Sequence, residues 1–506
     1  MKSRRKSLRS ALRAYHPAIE SLEERVLLTG NVLAAVSHGN LLVLGDSKAN
    51  QIGIQSTLGG ALQISSLDGT TTINGSAGPF TANGVTGSVL IFMGQGNDLV
   101  QVGGGTLTTS IPQNLLISTG NGNDTVHVAN ASIGGSVTIF GGIGTDTVTV
   151  GSAATATAVS IDGNLLIDGG FSNSTLAVFD ANVTGNLTII GNGSDDHIQV
   201  GYDEGLGIIG DESDTGHVNV GGNLTITDVG SGFGFSLVGL GWLGSFACAS
   251  DPGACGIGGG LAFVSNCGPN SLVGNCGSSF LGLFSGFLSC GLGCRTPCGG
   301  SGGTTAGEHV AIADADVTGN LCIQTGCGND EILIGAAHTP ATDSNPLINL
   351  VFGPVSVGGN LNVSSGAGND TVLLVEASVT GNTVLDSGAG NDDIGVLDST
   401  SFTGNFTIHA GRGNDSIVLS TDTFNANVTI FGGKGTDIIG LANSFFNQTV
   451  TINGGPGNDT FLQTQVPFAN DFAGGAPILN SVETSSEVSA PDFVAAFPWV
   501  SSLLGV

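Results

Sequence analysis

The feature that most constrains this chain is a short glycine-rich turn that ends in an acid, Gly-x-Gly-Asn-Asp or a close variant. It occurs at residues 94–98, 120–124, 142–146, 191–195, 326–330, 366–370, 388–392, 411–415, 433–437 and 455–459. From Asp370 to Asp459 the closing aspartates are 22 or 23 residues apart. A fixed period of this length is typical of a solenoid in which each repeat forms one coil.

A second landmark keeps the same phase. Asn-Leu-Thr-Ile or a variant begins ten residues before most of the aspartates, as at Asn360 before Asp370. Apolar residues alternate in this segment, as in Leu321 and Ile323, and again after the turn. Such alternation gives each strand one buried side, and a unit of two or three strands buries it only by stacking on its copies, about 4.8 Å apart. The sequence therefore predicts an all-β fold, a parallel β-helix (β-solenoid) of 22-residue coils.

Composition supports this fold class. The chain has 86 glycines, but they lack the strict spacing of collagen, and 40% hydrophobic residues is too many for a disordered chain. The net charge is −29, and residues 26–506 contain only Lys48, Arg295, Arg412 and Lys434 as bases. Nucleic acids and anionic membrane faces require clustered Lys and Arg, so both are excluded as partners, and cations are favoured.

Residues 1–30 hold seven of the eleven Lys and Arg residues. They lack the apolar stretch of roughly 7–15 residues that a standard signal peptide needs, and no later segment suits a transmembrane anchor. Residues 19–28 (IESLEERVLL) resemble the LEPR-XLL segment of long, repeat-rich exported bacterial proteins, although Glu24 stands where that family has proline. The resemblance implies sorting to the cell surface or the extracellular space.

The turn itself resembles the Gly-Gly-x-Gly-x-Asp-x-U-x repeat of RTX (haemolysin-type) proteins, most completely at 141–146, 432–437 and 454–459. The resemblance implies that aspartates and turn carbonyls of successive coils bind Ca²⁺, which takes about six to eight hard oxygens. RTX coils carry such turns on both edges, whereas one motif per coil here allows a single edge. The alternative is a metal-free turn in which the aspartate caps backbone N–H groups. The candidate metal ligands are Asp98, Asp124, Asp146, Asp195, Asp330, Asp370, Asp392, Asp415, Asp437 and Asp459.

A Gly- and Cys-rich apolar segment at 229–306 interrupts the repeat and holds seven of the nine cysteines. It contains neither histidine nor a Cys-x-x-Cys pair, so disulfides are favoured over zinc, with one thiol left over unless Cys322 or Cys327 pairs with it. The expected organisation is a sorting segment (1–30), an N-terminal cap with irregular first coils (31–90), coils (91–228), the insertion (229–306), coils (307–463), and a C-terminal cap and tail (464–506).

These observations predict a non-enzymatic, exported calcium-binding protein that serves as a cell-surface or matrix scaffold or adhesin. Extracellular polysaccharide or envelope components are expected as further partners. The alternative is a polysaccharide-active enzyme of lyase or epimerase type, because parallel β-helices also host that chemistry. Function has to be argued from a site, and the few bases and scattered histidines form no recognisable catalytic set. No catalytic residue is therefore predicted.

Overall fold

The protein is described from a computed structural model that covers residues 30–151, 158–193, 195–201, 216–228, 307–338, 350–398, 401–465 and 467–500. The predicted parallel β-helix is confirmed. Each regular coil contributes one strand to each of three sheets, and each strand pairs in parallel with its equivalents in the coils before and after.

The strand after the Thr-Gly-Asn corner belongs to sheet I, the strand after the Gly-x-Gly-Asn-Asp turn to sheet II, and a short third strand to sheet III. Sheet I contains Thr72–Ile73, Asn31–Ser37, Asn40–Leu44, Val89–Gln95, Leu115–Asn121, Val137–Ile143, Leu165–Asp168, Leu187–Ile190, Leu224–Thr227, Leu321–Gln324, Leu361–Ser364, Thr383–Asp386, Phe406–Arg412, Val428–Lys434, Val450–Asn453 and Ile478–Asn480. Sheet II contains Gln51–Ser56, Leu62–Ser66, Phe80–Ala82, Leu99–Gly103, Thr125–Ala129, Thr147–Val150, Thr175–Val178, His197–Gly201, His309–Ala313, Glu331–Ile334, Ala336–His338, Leu350–Phe352, Thr371–Val375, Asp393–Leu397, Ser416–Ser420, Ile438–Ala442, Thr460–Thr464 and Thr484–Val488. Sheet III contains Thr109–Ile111, Ala131–Ile133, Val159–Ile161, Ala181–Val183, Val218–Val220, Ala315–Val317, Val355–Val357, Ala377–Val379, Ser401–Phe402, Thr423–Phe424, Phe445–Phe446 and Asp471–Phe472.

The core is a continuous apolar column inside the three sheets. A one-residue slip between coils would turn the buried side chains outward, so the alternation fixes the register. In the C-terminal coils the column includes stacked rings of Phe402, Phe424 and Phe446, with centroids 5.2 Å and 5.0 Å apart. The asparagine corner is a hydrogen-bonded column as well: the backbone N–H of Asn382 donates to Oδ1 of Asn360 at 2.8 Å. Asparagine side chains commonly hydrogen-bond the backbone in turns of this kind.

The coils continue beyond the boundary predicted at residue 463. Strands Asp471–Phe472, Ile478–Asn480 and Thr484–Val488 pair in parallel with the preceding coil, so one further coil follows. The sequence hides this coil because Glu483, not an aspartate in a glycine turn, precedes its sheet II strand.

The C-terminal segment then lies against the outer face of sheet II. The helix Ala490–Ala496 is N-capped by Ser489. Phe497 packs over Gly440 and Trp499 over Gly395, where any Cβ would collide with the rings. The indole N–H of Trp499 also donates to Oγ of Ser416 at 2.7 Å.

Several predictions fall outside the described residues, namely the N-terminal sorting segment up to residue 29 and the insertion at 229–306 with its seven cysteines. Cys322 and Cys327 are both disulfide-bonded. In the ranges given above, no helix has the length and apolar character needed to cross a membrane.

Candidate metal centre

The Gly-x-Gly-Asn-Asp turn connects sheet I to sheet II, and its glycines are required there. Gly388 and Gly390 adopt φ values of 95° and 149°, which side-chain-bearing residues rarely reach. A Cβ on Gly390 would also overlap the carbonyl oxygen of Gly368 in the preceding coil. The turn therefore stacks closely on its neighbours, and the closing aspartate folds inward.

That aspartate points into the coil, where its Oδ1 accepts the backbone N–H of the equivalent residue one coil earlier. The N–H of Asp370 donates to Oδ1 of Asp392 at 2.9 Å, and the N–H of Asp392 to Oδ1 of Asp415 at 3.0 Å. The capping geometry that was the alternative to calcium is thus present at one carboxylate oxygen. Whether the turn can also bind a cation depends on the second carboxylate oxygen of each aspartate.

The hydrogen bonds join one residue per described coil into a single column, which we call the inner ladder. Its members, in order, are Asn50, Asp98, Asp124, Asp146, Ser174, Asp196, Glu308, Asp330, Asp370, Asp392, Asp415, Asp437, Asp459 and Glu483. Nine of the ten candidate aspartates belong to it, and each is at most 2% exposed.

Asp195 does not belong to the inner ladder, which corrects the sequence-based choice. Pairing of His197 with Thr175 aligns Asp196 with Ser174, and Asp195 is exposed. The sequence motif at 191–195 places the closing aspartate one residue too early, because two aspartates are adjacent there. The missed members Asp196, Glu308 and Glu483 share one signal, an acid directly before a sheet II strand.

A second column of hydrogen bonds stabilises the same turn, and its N–H groups donate in the opposite direction along the coils. The N–H of Asn391 donates to Oδ1 of Asn369 in the preceding coil at 2.8 Å, whereas the inner ladder donates toward the following coil. This outer column consists of exposed asparagines next to the buried aspartates. Both sides of the turn are therefore hydrogen-bonded without any metal.

In the ladder aspartates other than Asp196, the second carboxylate oxygen is buried and makes no hydrogen bond among the described residues. These atoms are Oδ2 of Asp98, Asp124, Asp146, Asp330, Asp370, Asp392, Asp415, Asp437 and Asp459, together with Oε1 of Glu308. A buried acceptor without a partner costs about 1–3 kcal/mol, and more when it is charged. Each such oxygen needs either a proton of its own or a cation.

The pKa values show how strongly the charged form is disfavoured. Burial raises the pKa of Asp98, Asp146, Asp370 and Asp415 to about 7, and that of Asp392 to about 8. A neighbouring ladder carboxylate adds to the effect, and the N–H bond from the preceding coil opposes it. Near neutral pH the column therefore holds protons that a bound cation would displace.

The donor chemistry fits calcium. The unpartnered oxygens are hard carboxylate oxygens, and Oδ2 of Asp146 and Asp437 lies beside the backbone of Gly141 and Gly432, where no side chain intervenes. Each coil that carries one of these nine aspartates supplies one such oxygen. An ion in the inner ladder would therefore be held by carboxylates of successive coils together with turn carbonyls.

Fold and site together define a three-sheet parallel β-helix with a buried carboxylate ladder along one edge. No protein-family model and no curated protein sequence matches the chain. Among solved structures, the chain is similar to a hyperactive, Ca²⁺-dependent, β-helical antifreeze protein from an Antarctic bacterium. The identity is 15%, the match covers 82% of this chain and 89% of that chain, and the TM-score is 0.35. Values this low assign no function to the present chain.

Proposed function

We propose that this protein is an exported, calcium-binding β-helix that serves as a cell-surface or matrix scaffold or adhesin and has no catalytic activity. The observation that supports the proposal is the inner ladder, in which nine buried aspartates each have one carboxylate oxygen without a hydrogen-bond partner among the described residues.

Electrostatics favours a divalent cation there. Successive ladder residues are stacked about 4.8 Å apart. Two unit charges at 4 Å repel by about 4 kcal/mol at an effective dielectric of about 20. Within the described residues only Lys48, Arg412 and Lys434 are permanently basic. A divalent ion between coils would neutralise two carboxylates at once and lower this repulsion.

The same burial argues against catalysis by the ladder. Its aspartates are at most 2% exposed, so a polymeric substrate has no route to them. The disulfide-bonded state of Cys322 and Cys327 suits an oxidising compartment outside the cytosol. A long, acidic, repetitive rod held by ions is well suited to a scaffold, because each coil repeats the same outer surface.

Thermal unfolding of the full chain near pH 7.5, with millimolar Ca²⁺ and with a chelator, tests the proposal. A ligand at 100 times its dissociation constant stabilises by about 2.7 kcal/mol per site, so several sites predict a Tm increase on the order of 10 °C in a chain of this length. Isothermal titration calorimetry should then give several ions per chain. An unchanged Tm together with no heat of binding would reject calcium binding.

The non-enzymatic part of the proposal has its own test. Uronic-acid polymers incubated with the calcium-loaded protein should release no unsaturated product. Release that exceeds a buffer control would establish a lyase instead.

A further inference from the structure

One buried acid lies beside the inner ladder and does not belong to it. Asp228 is the last described residue before the insertion, and it is fully buried. Pairing of Thr227 with Ile190 and with Gln324 places it in a column with Gly191 and Thr325. This column lies five residues before the ladder position. Elsewhere it holds small or hydroxyl residues, such as Gly141, Ser365 and Ser387.

Asp228 points at two ladder residues. One oxygen each of Asp196, Asp228 and Glu308 lies within 4.8 Å of the others, and all three side chains are buried. We call this group the tricarboxylate cluster. Gly191 makes room for it, because a Cβ there would overlap both the Asp228 carboxylate and Oδ2 of Asp196.

The cluster has oxygens available for a ligand. Three of its oxygens have no hydrogen-bond partner in the described part of the chain: Oδ1 and Oδ2 of Asp228 and Oε1 of Glu308. Asp196 is held in place, since its Oδ2 accepts the backbone N–H groups of Asn192 and Gly193 at 2.9 and 2.7 Å. Glu308 is also fixed, because its Oε2 accepts the N–H of Asp196 at 2.8 Å.

No basic side chain balances these acids in the structure as described. Lys48, Arg412 and Lys434 lie in other coils, and His309 directs its Nδ1 to Glu331 at 3.1 Å. Burial, the largest cause, and the charges of the neighbouring carboxylates raise the pKa of Asp228 and Glu308. Three acids with three buried, unpartnered oxygens form a stronger cation site than any single ladder step.

We propose that Asp196, Asp228 and Glu308 bind one hard divalent cation, calcium or an ion of similar chemistry, which ties together the two ends of the insertion. An all-oxygen, carboxylate-rich donor set selects such ions over softer metals. Asp228 precedes residues 229–306 and Glu308 follows them, so the ion would join described residues on the two sides of the insertion. The site does not require calcium in the rest of the ladder.

Asp228→Asn in the full chain is the main test, with Ca²⁺ alone as the probe and Asp392→Asn as the matched ladder control. In chelator, Asp228→Asn should raise the Tm or leave it unchanged, because it removes one of three crowded acidic groups. In Ca²⁺ the order should reverse, with wild type the more stable. Calorimetry should show the loss of the tightest site in Asp228→Asn and its retention in Asp392→Asn.

Glu308→Gln is a second variant, since its amide oxygen can still accept the Asp196 N–H; it should also lose the tightest site. If both variants keep wild-type stoichiometry and affinity, or lower the Tm equally with and without Ca²⁺, the cluster is a protonated part of the core and the proposal is wrong. Loss of one site in a protein that otherwise binds no calcium would support the cluster and reject the ladder. If both variants keep all of several calcium sites, the result would support calcium in the ladder and reject the cluster.

Discussion

The turns at 366–459 and the interrupted turn between Asp228 and Glu308 share one inner ladder but differ in what surrounds it. In the regular turns, small residues lie behind each aspartate, and the outer asparagine column closes the turn. In the interrupted turn, residues 229–306 replace the glycine segment, and Asp228 occupies the small-residue column. The ladder bond nevertheless persists, from Asp196 to Glu308 at 2.8 Å. The column is therefore maintained by strand pairing on either side, and the glycine turn is only one way to connect the strands.

The largest expected effect is the change in the Tm of the metal-free protein with pH. The folded pKa is raised to between about 6 and about 8, against about 3.9 when unfolded, at six ladder aspartates: Asp98, Asp146, Asp370, Asp392, Asp415 and Asp437. The folded state thus binds more protons between these values, so stability is greatest at low pH and falls as pH rises from about 4 to about 8. Chelator-treated protein should lose Tm steadily from about pH 5 to pH 8, and saturating Ca²⁺ should flatten that slope. A Tm that rises over this range would contradict the buried, unpartnered oxygens.

The next largest effect is expected from Gly390→Ala, in a regular turn. The alanine would be strained at φ 149° and would overlap the Gly368 carbonyl, so a loss of about 4 kcal/mol in unfolding free energy is expected. Gly84→Ala is the control, with φ 73° but nothing within 4 Å of the added Cβ, and should cost about 1 kcal/mol. Urea unfolding monitored by circular dichroism measures both, and equal losses would mean that the turns do not stack as described.

Asp392→Ala should cost about 3 kcal/mol in chelator, because it leaves the Asp370 N–H buried without an acceptor. Asp392→Asn keeps an acceptor oxygen, so its metal-free loss should be below about 1 kcal/mol. The same urea titration separates the two. If asparagine costs as much as alanine, the carboxylate charge itself stabilises the turn, which the raised pKa of Asp392 contradicts.

The smallest effects test the register in the interrupted region. Asp195→Ala should change the unfolding free energy by less than about 0.5 kcal/mol, as expected for an exposed side chain. Asp196→Ala should cost about 2 kcal/mol in the presence of Ca²⁺, because it removes the acceptor for the Ser174 N–H and a member of the cluster. If Asp195→Ala lowered the Tm more than Asp196→Ala, the register expected from the sequence would be correct.

The fold could be predicted because its cause is local and repeated. Alternating apolar residues and a turn of fixed period define strands, and stacking follows from their single buried side. The positions of nine ladder aspartates follow from the same period. Asp196 was missed because the pairing of His197 with Thr175 in the previous coil, which the sequence does not show, distinguishes it from Asp195. Glu308 and Asp228 were missed because the insertion separates two residues that the coil brings together, and no spacing rule covers that distance.

The C-terminal segment has a consequence for how the rod comes apart. Coils of a solenoid normally contact only their neighbours, so a free end can unravel one coil at a time. Trp499 rests on Gly395 and bonds Ser416, while Phe497 rests on Gly440, so one short piece of chain contacts three successive coils from outside. Unravelling from this end must first release that piece, and then several coils lose their support together. The last part of the rod should therefore melt as one cooperative block.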